Sequence, residues 1–257
     1  MLEINKIYCG DNLELIKQLD DNCIDLTVTS PPYDNLRKYN GFNWDFEELA
    51  KELYRVTKEG GVVVWIVGDA TINGSETGTS FRQVLYFKEI GFNIFDTMIW
   101  NKQNCSSVGS MDRYENTFEY MFILSKGKPK TANIIKDKPN KRAGELQHGS
   151  IRQTDGTVKK TSQYGKRAIA EYGRRRNVWD VFPAKSLKER LHPAPFPEQL
   201  ANDHIISWSN KDDLILDPFM GSGTTAKMAL KNQRNFIGFE LSQEYCDIAN
   251  ERIKNLK

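Results

Sequence analysis

The sequence lacks several features that would place it in a membrane, secreted or metal-binding class. It has no run of about 18 apolar residues, so no membrane-spanning helix is expected. Its start, MLEINKIYCGDN, does not combine a basic stretch with an apolar one, so no signal peptide is expected. The four cysteines are scattered without a CxxC pair, which predicts reduced thiols in a cytoplasmic protein. With only three histidines, no zinc or other metal site is expected.

Charge is distributed unevenly along the 257 residues, although the formal net charge is only +2. Residues 126–190 contain 18 Lys and Arg against 6 Asp and Glu, whereas the rest of the chain has 18 basic and 28 acidic residues. A basic segment on an acidic body suggests a polyanionic partner such as nucleic acid. A solvated lysine-rich loop would have the same composition, so charge alone leaves both interpretations open.

Short apolar runs alternate with amphipathic patterns on both sides of the basic segment. Strands are predicted at 6–10, 24–30, 62–68, 93–100, 119–126, 214–218 and 235–241. Helices are predicted at 11–22, 44–61, 80–91, 197–209, 224–233 and 242–256, with Gly60 and Gly61 ending the second. This alternation, with nearly continuous apolar strands, predicts an α/β fold whose mostly parallel, seven-stranded sheet carries helices on both faces.

A glycine turn lies between a predicted strand and helix in DPFMGSGTT, residues 217–225. Gly221 and Gly223 let the backbone turn sharply, and Thr224 stands at the helix start, where free N–H groups favour an anion. The lysine that a nucleotide-hydrolase loop carries after its second glycine is absent. A nucleoside triphosphate is therefore disfavoured, and the anion can be a carboxylate.

An acidic residue, Glu240, follows Gly223 by 17 positions at the end of the next predicted strand. Acidic residues about 20 positions beyond such a loop commonly bind ribose hydroxyls. A loop that binds a carboxylate and an acidic residue that binds a ribose together fit a nucleoside that carries an amino acid with a free carboxylate. S-adenosylmethionine fits this description, and NAD fits it less well. A plain glycine turn beside a surface Glu is the alternative.

A stiff segment, Ser30-Pro31-Pro32-Tyr33, follows the predicted strand at 24–30. The two prolines offer carbonyls but no N–H groups, and the tyrosine offers an aromatic face. Acceptors beside an aromatic platform suit a planar group with an exocyclic amine, such as a flipped base. A diproline turn with a packed tyrosine is the alternative.

Four segments together resemble the signature motifs of amino-methylating DNA methyltransferases. They are IYCGD (7–11), TSPPY (29–33), HPAPFPEQL (192–200) and DPFMGSGTT (217–225). Because the TSPPY motif precedes the basic region and the glycine turn, the order resembles the β group of that family. The resemblance covers residues 1–125 and 190–257. It implies a Rossmann-like fold, S-adenosylmethionine as methyl donor, and transfer to the exocyclic nitrogen of a flipped base.

The same resemblance implies roles for individual residues. It assigns the target pocket to Ser30, Pro31, Pro32 and Tyr33. It assigns the cofactor site to Asp11, Asp217, Phe219, Gly221, Gly223, Thr224 and Glu240. Asp11 would face the adenine amino group, and Glu240 the ribose hydroxyls. In the HPAPFPEQL motif some relatives carry Lys at the position of Phe196, so a different packing is expected there.

The resemblance also divides the chain by role. Residues 1–125 would hold the target-base pocket, 126–190 a target-recognition insertion, and 191–257 the cofactor-binding part of the same methyltransferase domain. Double-stranded DNA is the expected partner, and the family adds a cognate restriction endonuclease and a homodimer as further candidates. The residues expected to contact DNA are Lys166, Arg167, Arg174, Arg175 and Arg176.

The first residue of the Ser-Pro-Pro-Tyr motif bears on the target base. In the family, Ser-Pro-Pro-Tyr is commoner in N4-cytosine enzymes and Asp-Pro-Pro-Tyr in N6-adenine enzymes. A hydroxyl and a carboxylate both accept from an amine, so Ser30 favours cytosine and leaves adenine open. Methylation at C5 is disfavoured, because none of the cysteines precedes a proline as that family's nucleophile does. The remaining alternatives are an RNA or protein amino-methyltransferase and a non-enzymatic nucleic-acid-binding module. A dinucleotide-dependent oxidoreductase ranks last, because the sequence lacks a G-x-G-x-x-G run.

Overall fold

The computed structural model describes residues 2–32, 44–103, 112–183, 197–254 and 256. The chain forms two compact units, one comprising Met1–Asn133 with Asn177–Lys257 and the other Ile134–Arg176. Fourteen strands are described in chain order. They are β1 Lys6–Cys9, β2 Ile24–Thr29, β3 Thr57–Val67, β4 Thr71–Ile72, β5 Ser75–Glu76, β6 Asn93–Lys102, β7 Phe118–Ser125, β8 Lys138–Pro139, β9 Ser150–Arg152, β10 Val158–Lys160, β11 Tyr172–Gly173, β12 Val178–Val181, β13 Leu214–Asp217 and β14 Asn235–Glu240.

Eight of these strands form one sheet in the order β1-β14-β13-β2-β3-β7-β6-β12. Strand β7 is antiparallel to both of its neighbours, and every other pair in the sheet is parallel. The expected mostly parallel α/β architecture is therefore confirmed. The sheet has one more strand than the seven predicted, because β12 adds a parallel edge to β6 from within the segment interpreted as insertion.

Six helices are described, all in the first unit. They are α1 Asn12–Ile16, α2 Phe46–Val56, α3 Thr79–Glu89, α4 Glu198–Trp208, α5 Thr224–Lys231 and α6 Gln243–Lys254. None of the helices in the described ranges is long and apolar enough to cross a membrane.

Apolar side chains cover both faces of the sheet, as the strand sequences predict. Along β3, Val62, Val64 and Ile66 join one buried cluster, which also contains apolar residues of α4 and α5. The alternating Val63, Trp65 and Val67 join a second cluster with residues of α1, α2 and α3. Because successive side chains of a strand point to opposite faces, a fully apolar β3 requires helices on both sides.

The end of α2 differs from the prediction. The helix stops at Val56, Thr57 adopts extended backbone, and the Gly60–Gly61 pair expected to end the helix lies inside β3. A side chain at Gly61 would place its Cβ 2.8 Å from Thr57 Cγ2 and 3.0 Å from the Asp25 carbonyl oxygen. The glycine therefore permits the close approach of β2 and β3. Similarly, the helix predicted at 11–22 is confined to α1.

Candidate functional site

The residues predicted to bind a ligand converge on the carboxyl edge of the sheet. Strands β1, β14, β13 and β2 are consecutive parallel neighbours. Asp11 and Ser30 follow the ends of β1 and β2, while Asp217 and Glu240 are the last residues of β13 and β14. Ligands of open α/β sheets bind at this edge.

The side chain of Asp217 connects the Ser-Pro-Pro segment to the glycine turn. Its Oδ1 accepts from Thr29 Oγ1 at 2.7 Å and from the Phe219 N–H at 3.0 Å, and its Oδ2 accepts from Thr225 Oγ1 at 2.7 Å. Burial raises the pKa of this carboxyl to about 6, although the three hydrogen bonds oppose the shift. The segment before Ser30 and the start of α5 are thus held by one buried group.

The glycine turn itself needs both of its glycines. Gly221 and Gly223 have φ values of 51° and 82°, in the left-handed region that disfavours side chains. A Cβ on Gly223 would also lie 2.8 Å from the Cβ of Ala249 in α6. The turn delivers the chain into α5 at Thr224, where the unpaired N–H groups of the first helical turn favour an anion.

The carboxylate of Glu240 lies directly beside this turn. Its Oε2 accepts from the Gly221 N–H at 2.8 Å, and its Oε1 accepts from the Ser242 N–H at 2.9 Å. Desolvation raises the pKa of Glu240, and the backbone hydrogen bonds partly offset that rise. A partly buried carboxylate fixed at the end of β14 offers acceptors to a vicinal diol.

The segment after β1 reaches the same edge. Asp11 caps α1, with Oδ1 accepting from the backbone N–H of Leu13 at 2.8 Å and of Glu14 at 3.2 Å. The buried Asn12 donates from Nδ2 to the carbonyl of Pro218 at 3.3 Å. Asp11 is thus the sequence neighbour of Asn12, which contacts the glycine turn. The hydrogen bonds described for Asp11 itself are those of a helix cap.

The target segment is described only in part. Ser30 is half-buried, Pro31 buried and Pro32 half-buried, while Tyr33 lies outside the described residues. Phe219, predicted as a cofactor residue, packs edge-on against Trp44 with ring centroids 5.0 Å apart. Trp44 lies 6.1 Å from the buried ring of Trp65. This contact between Trp44 and Phe219 was not predicted, because no sequence motif links Trp44 to the glycine turn.

Arg252 of α6 is a second residue that the sequence analysis did not identify. Its Nη1 donates to the carbonyl oxygen of Ser222 at 2.7 Å, to Ser222 Oγ at 2.9 Å and to Thr224 Oγ1 at 3.3 Å. Its Nη2 donates to Glu198 Oε1 at 3.0 Å. The guanidinium of this residue, which is remote in sequence, thus holds the turn between Gly221 and α5 in place.

The basic residues predicted to contact DNA belong to the second unit. Lys166, Arg167, Arg174 and Arg176 are exposed. Arg175 is half-buried and forms an ion pair with Asp137, to which its Nε donates at 2.7 Å. Within the described ranges, no group of three or more His, Cys, Asp or Glu residues could hold a metal ion.

Comparison with known proteins identifies the family. A model described as DNA methylase, of the N6/N4 methyltransferase type, matches residues 24–251. The chain belongs to this DNA methylase family. It is 57% identical over 246 residues to the orphan methyltransferase M.BamHII of Bacillus amyloliquefaciens, covering 93% of this chain and 92% of that protein. It is 29% identical over 266 residues to the type II methyltransferase M.BglII of Bacillus subtilis, covering 96% of this chain and 68% of that protein.

Solved structures agree with the fold of this methylase. TTHA0409 of Thermus thermophilus, solved with S-adenosyl-L-methionine, aligns with a TM-score of 0.66 and 25% identity over 97% of this chain and 93% of that one. The cytosine-N4-specific PvuII DNA methyltransferase aligns with a TM-score of 0.69 and 22% identity over 96% and 85%, which shows the fold alone. The expected enzyme class, an amino-methyltransferase acting on DNA, is confirmed, and the non-enzymatic binding module is set aside.

Removing one donor from Asp217 should destabilise the methylase. We expect Thr29→Val to lower the free energy of unfolding by about 1–3 kcal/mol, because a buried carboxylate loses a hydrogen bond. Thr27→Val in the same strand is the matched control: both threonines are 0% exposed, but among the described residues the Thr27 hydroxyl has no hydrogen-bond partner. Its loss should leave stability unchanged or raised. Urea unfolding of both variants tests this, and equal losses would contradict it.

Asp217 should also make stability fall as pH rises. Burial raises its folded pKa from the ordinary 3.8 to about 6, so the folded state binds the proton more tightly than the unfolded chain between these values. From about pH 4 to about pH 7, the free energy of unfolding of wild type should fall relative to that of Asp217→Asn by on the order of 3 kcal/mol. Urea unfolding across this range measures both proteins. Parallel pH profiles would show that Asp217 titrates normally.

Proposed function

We propose that this methylase is a site-specific DNA methyltransferase that transfers a methyl group to the exocyclic amine of a flipped base, with N4 of cytosine favoured. The methyl donor is S-adenosylmethionine. The observation that carries the proposal is the buried hydrogen bond of 2.7 Å between Thr29 and Asp217. This bond joins the Ser30 segment, which offers hydrogen-bond acceptors to an amine, to the glycine turn, which has anion-binding geometry. In this proposal the methyl donor and the target amine therefore meet at one edge of the sheet.

The groups at this edge fit S-adenosylmethionine. The carboxylate of Glu240 accepts from the ribose hydroxyls, and the N–H groups at the start of α5, beginning with Thr224, bind the carboxylate of the methionine part. Asp11 accepts from the adenine amino group. Gly221 and Gly223 keep the turn free of side chains, and Phe219 adds an apolar contact. When bound, S-adenosylmethionine supplies an activated methyl group on a sulfonium centre.

The Ser30 segment prepares the acceptor nitrogen. The hydroxyl of Ser30 and the carbonyls of the proline segment accept hydrogen bonds from the exocyclic amine, which draws its lone pair out of conjugation with the ring. The same acceptors stabilise the charge that develops on nitrogen. Tyr33 stacks on the flipped base. In a direct displacement the bond from nitrogen to the methyl carbon would form as the bond from sulfur to that carbon breaks, with S-adenosylhomocysteine leaving and the amine losing one proton. The chain therefore needs no covalent nucleophile and contributes mainly alignment of the two reacting groups.

The choice of base rests on Ser30. The Ser-Pro-Pro-Tyr form of the motif is commoner in N4-cytosine enzymes, which favours cytosine. N6 of adenine is the second candidate, because a neutral hydroxyl accepts from either exocyclic amine.

The second unit supplies target recognition in this proposal. Lys166, Arg167, Arg174 and Arg176 are exposed cations that can neutralise phosphates of double-stranded DNA. Arg175 contributes less, because Asp137 already pairs with it. A cytoplasmic location, a homodimer and a cognate endonuclease remain predictions. The name of the relative M.BamHII describes it as an orphan, which favours an enzyme acting without an endonuclease.

Nucleoside mass spectrometry tests the activity and the base together. After incubation with S-adenosylmethionine and unmethylated DNA, we expect N4-methylcytosine to accumulate. Ser30→Ala should lower kcat by about 100-fold, because one preorganised acceptor at the reacting amine is lost. Its dissociation constant for S-adenosylmethionine should stay unchanged. N6-methyladenine alone would refute the choice of cytosine, and an unchanged kcat in Ser30→Ala would refute the role of that hydroxyl.

Arg252 should act on cofactor affinity through the glycine turn. We expect Arg252→Gln to raise the dissociation constant for S-adenosylmethionine about 10-fold, because charge-assisted hydrogen bonds to Ser222 and Thr224 are lost. Lys227→Gln is the control: the Lys227 side chain also pairs with Glu198, and its only described contact with the turn is a backbone hydrogen bond to the Gly223 carbonyl, which the substitution keeps. Titration calorimetry of both variants measures the constants. Equal weakening would assign the effect to Glu198 rather than to the turn.

A further inference from the structure

The second unit, Ile134–Arg176, is one long antiparallel ribbon with interruptions. Lys138 pairs with Gly173 near its base, Leu146 bridges Ala168 midway, and Arg152 pairs with Val158 near its tip. Backbone hydrogen bonds continue the ladder between these points, for example from the Gln147 N–H to the Arg167 carbonyl at 2.9 Å and from the Thr161 N–H to the Gly149 carbonyl at 3.0 Å. The unit is therefore a two-stranded arm ending in the β9–β10 hairpin.

This arm has no core of its own. The structure describes all of residues 134–176, and none of them is buried. They include 12 Lys and Arg against four Asp and Glu. An isolated two-stranded ribbon is marginally stable at best in water, since it buries too little apolar surface. A partner that covers the ribbon supplies the missing burial, and the charge excess specifies a polyanion.

The two faces of the hairpin tip carry different side chains. Strand periodicity places Arg152 and Val158, which are register partners, on one face, and Ile151 and Lys159, also partners, on the other. Val158 is 65% exposed and Ile151 is 56% exposed. Phosphate binding alone would need only cations. Exposed apolar side chains at a basic tip are suited in addition to contact with base edges and thymine methyl groups.

Arg152 differs from the paired arginines of the arm. Arg142 donates from Nε to Glu145 at 2.8 Å, and Arg175 is paired with Asp137. Among the described residues Arg152 has no ion pair. The only acid of the tip, Asp155, is used within the turn, where it accepts from the Thr157 N–H at 2.9 Å and from Thr157 Oγ1 at 2.7 Å. The guanidinium of Arg152 is thus available for an external acceptor.

The dimensions of the tip match the major groove of duplex DNA. The groove is about 12 Å wide and admits a two-stranded ribbon. Three residues of strand rise about 10 Å, which is close to the length of three base pairs. We propose that the β9–β10 hairpin enters the major groove and that Arg152 contacts a guanine there, with Val158 beside it and Lys159 directed to phosphate. The proposal rests on the DNA methyltransferase function proposed above and adds the element that reads sequence.

Single-molecule sequencing of a methylation-free genome treated with the purified full-length enzyme tests the proposal. The wild-type pattern of modified positions defines the recognition sequence. We expect Arg152→Ala to lose about 10-fold or more of the preference at a G·C pair of that sequence. Arg152→Lys should lose it as well, because lysine keeps the charge without the bidentate fork. Lys159→Ala should weaken binding to all sequences alike and reduce its salt dependence.

Arg142→Ala is the matched control, because this arginine lies in the same arm but is paired with Glu145. Its recognition sequence should equal that of wild type. An unchanged sequence preference in Arg152→Ala, or a full preference in Arg152→Lys, would overturn the proposed base contact. If wild type deposits no methyl group on DNA although it binds S-adenosylmethionine, the proposed function fails instead, so the two failures are distinguishable.

Discussion

A carboxylate removed from water must be satisfied by hydrogen-bond donors, and at Asp217 this requirement shapes the whole site. Its donors come from three places: Thr29 at the end of β2, Thr225 in α5 and the backbone of Phe219 in the turn between. Thr29 is 188 positions away along the chain. Because the loss of any one donor costs the buried carboxylate a hydrogen bond that water does not replace, the network favours one relative position of the three segments. The raised pKa of Asp217 shows that desolvation outweighs the hydrogen bonds, so the constraint costs stability at neutral pH.

Much of the fold could be predicted because the central strands are long and apolar. All seven predicted strands are present, since runs such as that of β3 are buried on both faces and read as strands without any tertiary information. The strand β12 was not recognised, because only Trp179 and Val181 of its four residues are buried and the pattern is too short to stand out. The end of α2 was misplaced, because the Gly60–Gly61 pair resembled a helix stop. Both glycines instead lie inside β3, where Gly61 permits the close approach of β2.

The candidate site likewise contains residues that could be predicted from the sequence and residues that could not. Groups contiguous in sequence could be predicted, because the residue types of one continuous segment determine its local geometry. Examples are Asp217 with the glycine turn and Ser30 with its prolines. Arg252 could not, since its contact with Ser222 arises only when α6 packs back across the start of α5. Trp44 gave no signal for the same reason: its neighbour Phe219 is remote in sequence. What sequence reasoning misses here is the set of side chains that hold a motif from outside it.

The two units follow opposite physical designs, and the proposed chemistry explains why. Aligning a methyl donor with an amine calls for fixed acceptors. In the first unit the candidate acceptors stand at the ends of strands whose two faces are covered by apolar side chains. Reading a polyanion calls for many cations, and a buried cation without a partner costs more free energy than a core can return. The 12 Lys and Arg of residues 134–176 are therefore compatible with a ribbon that has no core, and incompatible with the sheet. In this proposal the residues that recognise DNA lie in the second unit and the Asp217 network lies in the first, so a change in the sequence of the arm replaces no member of that network.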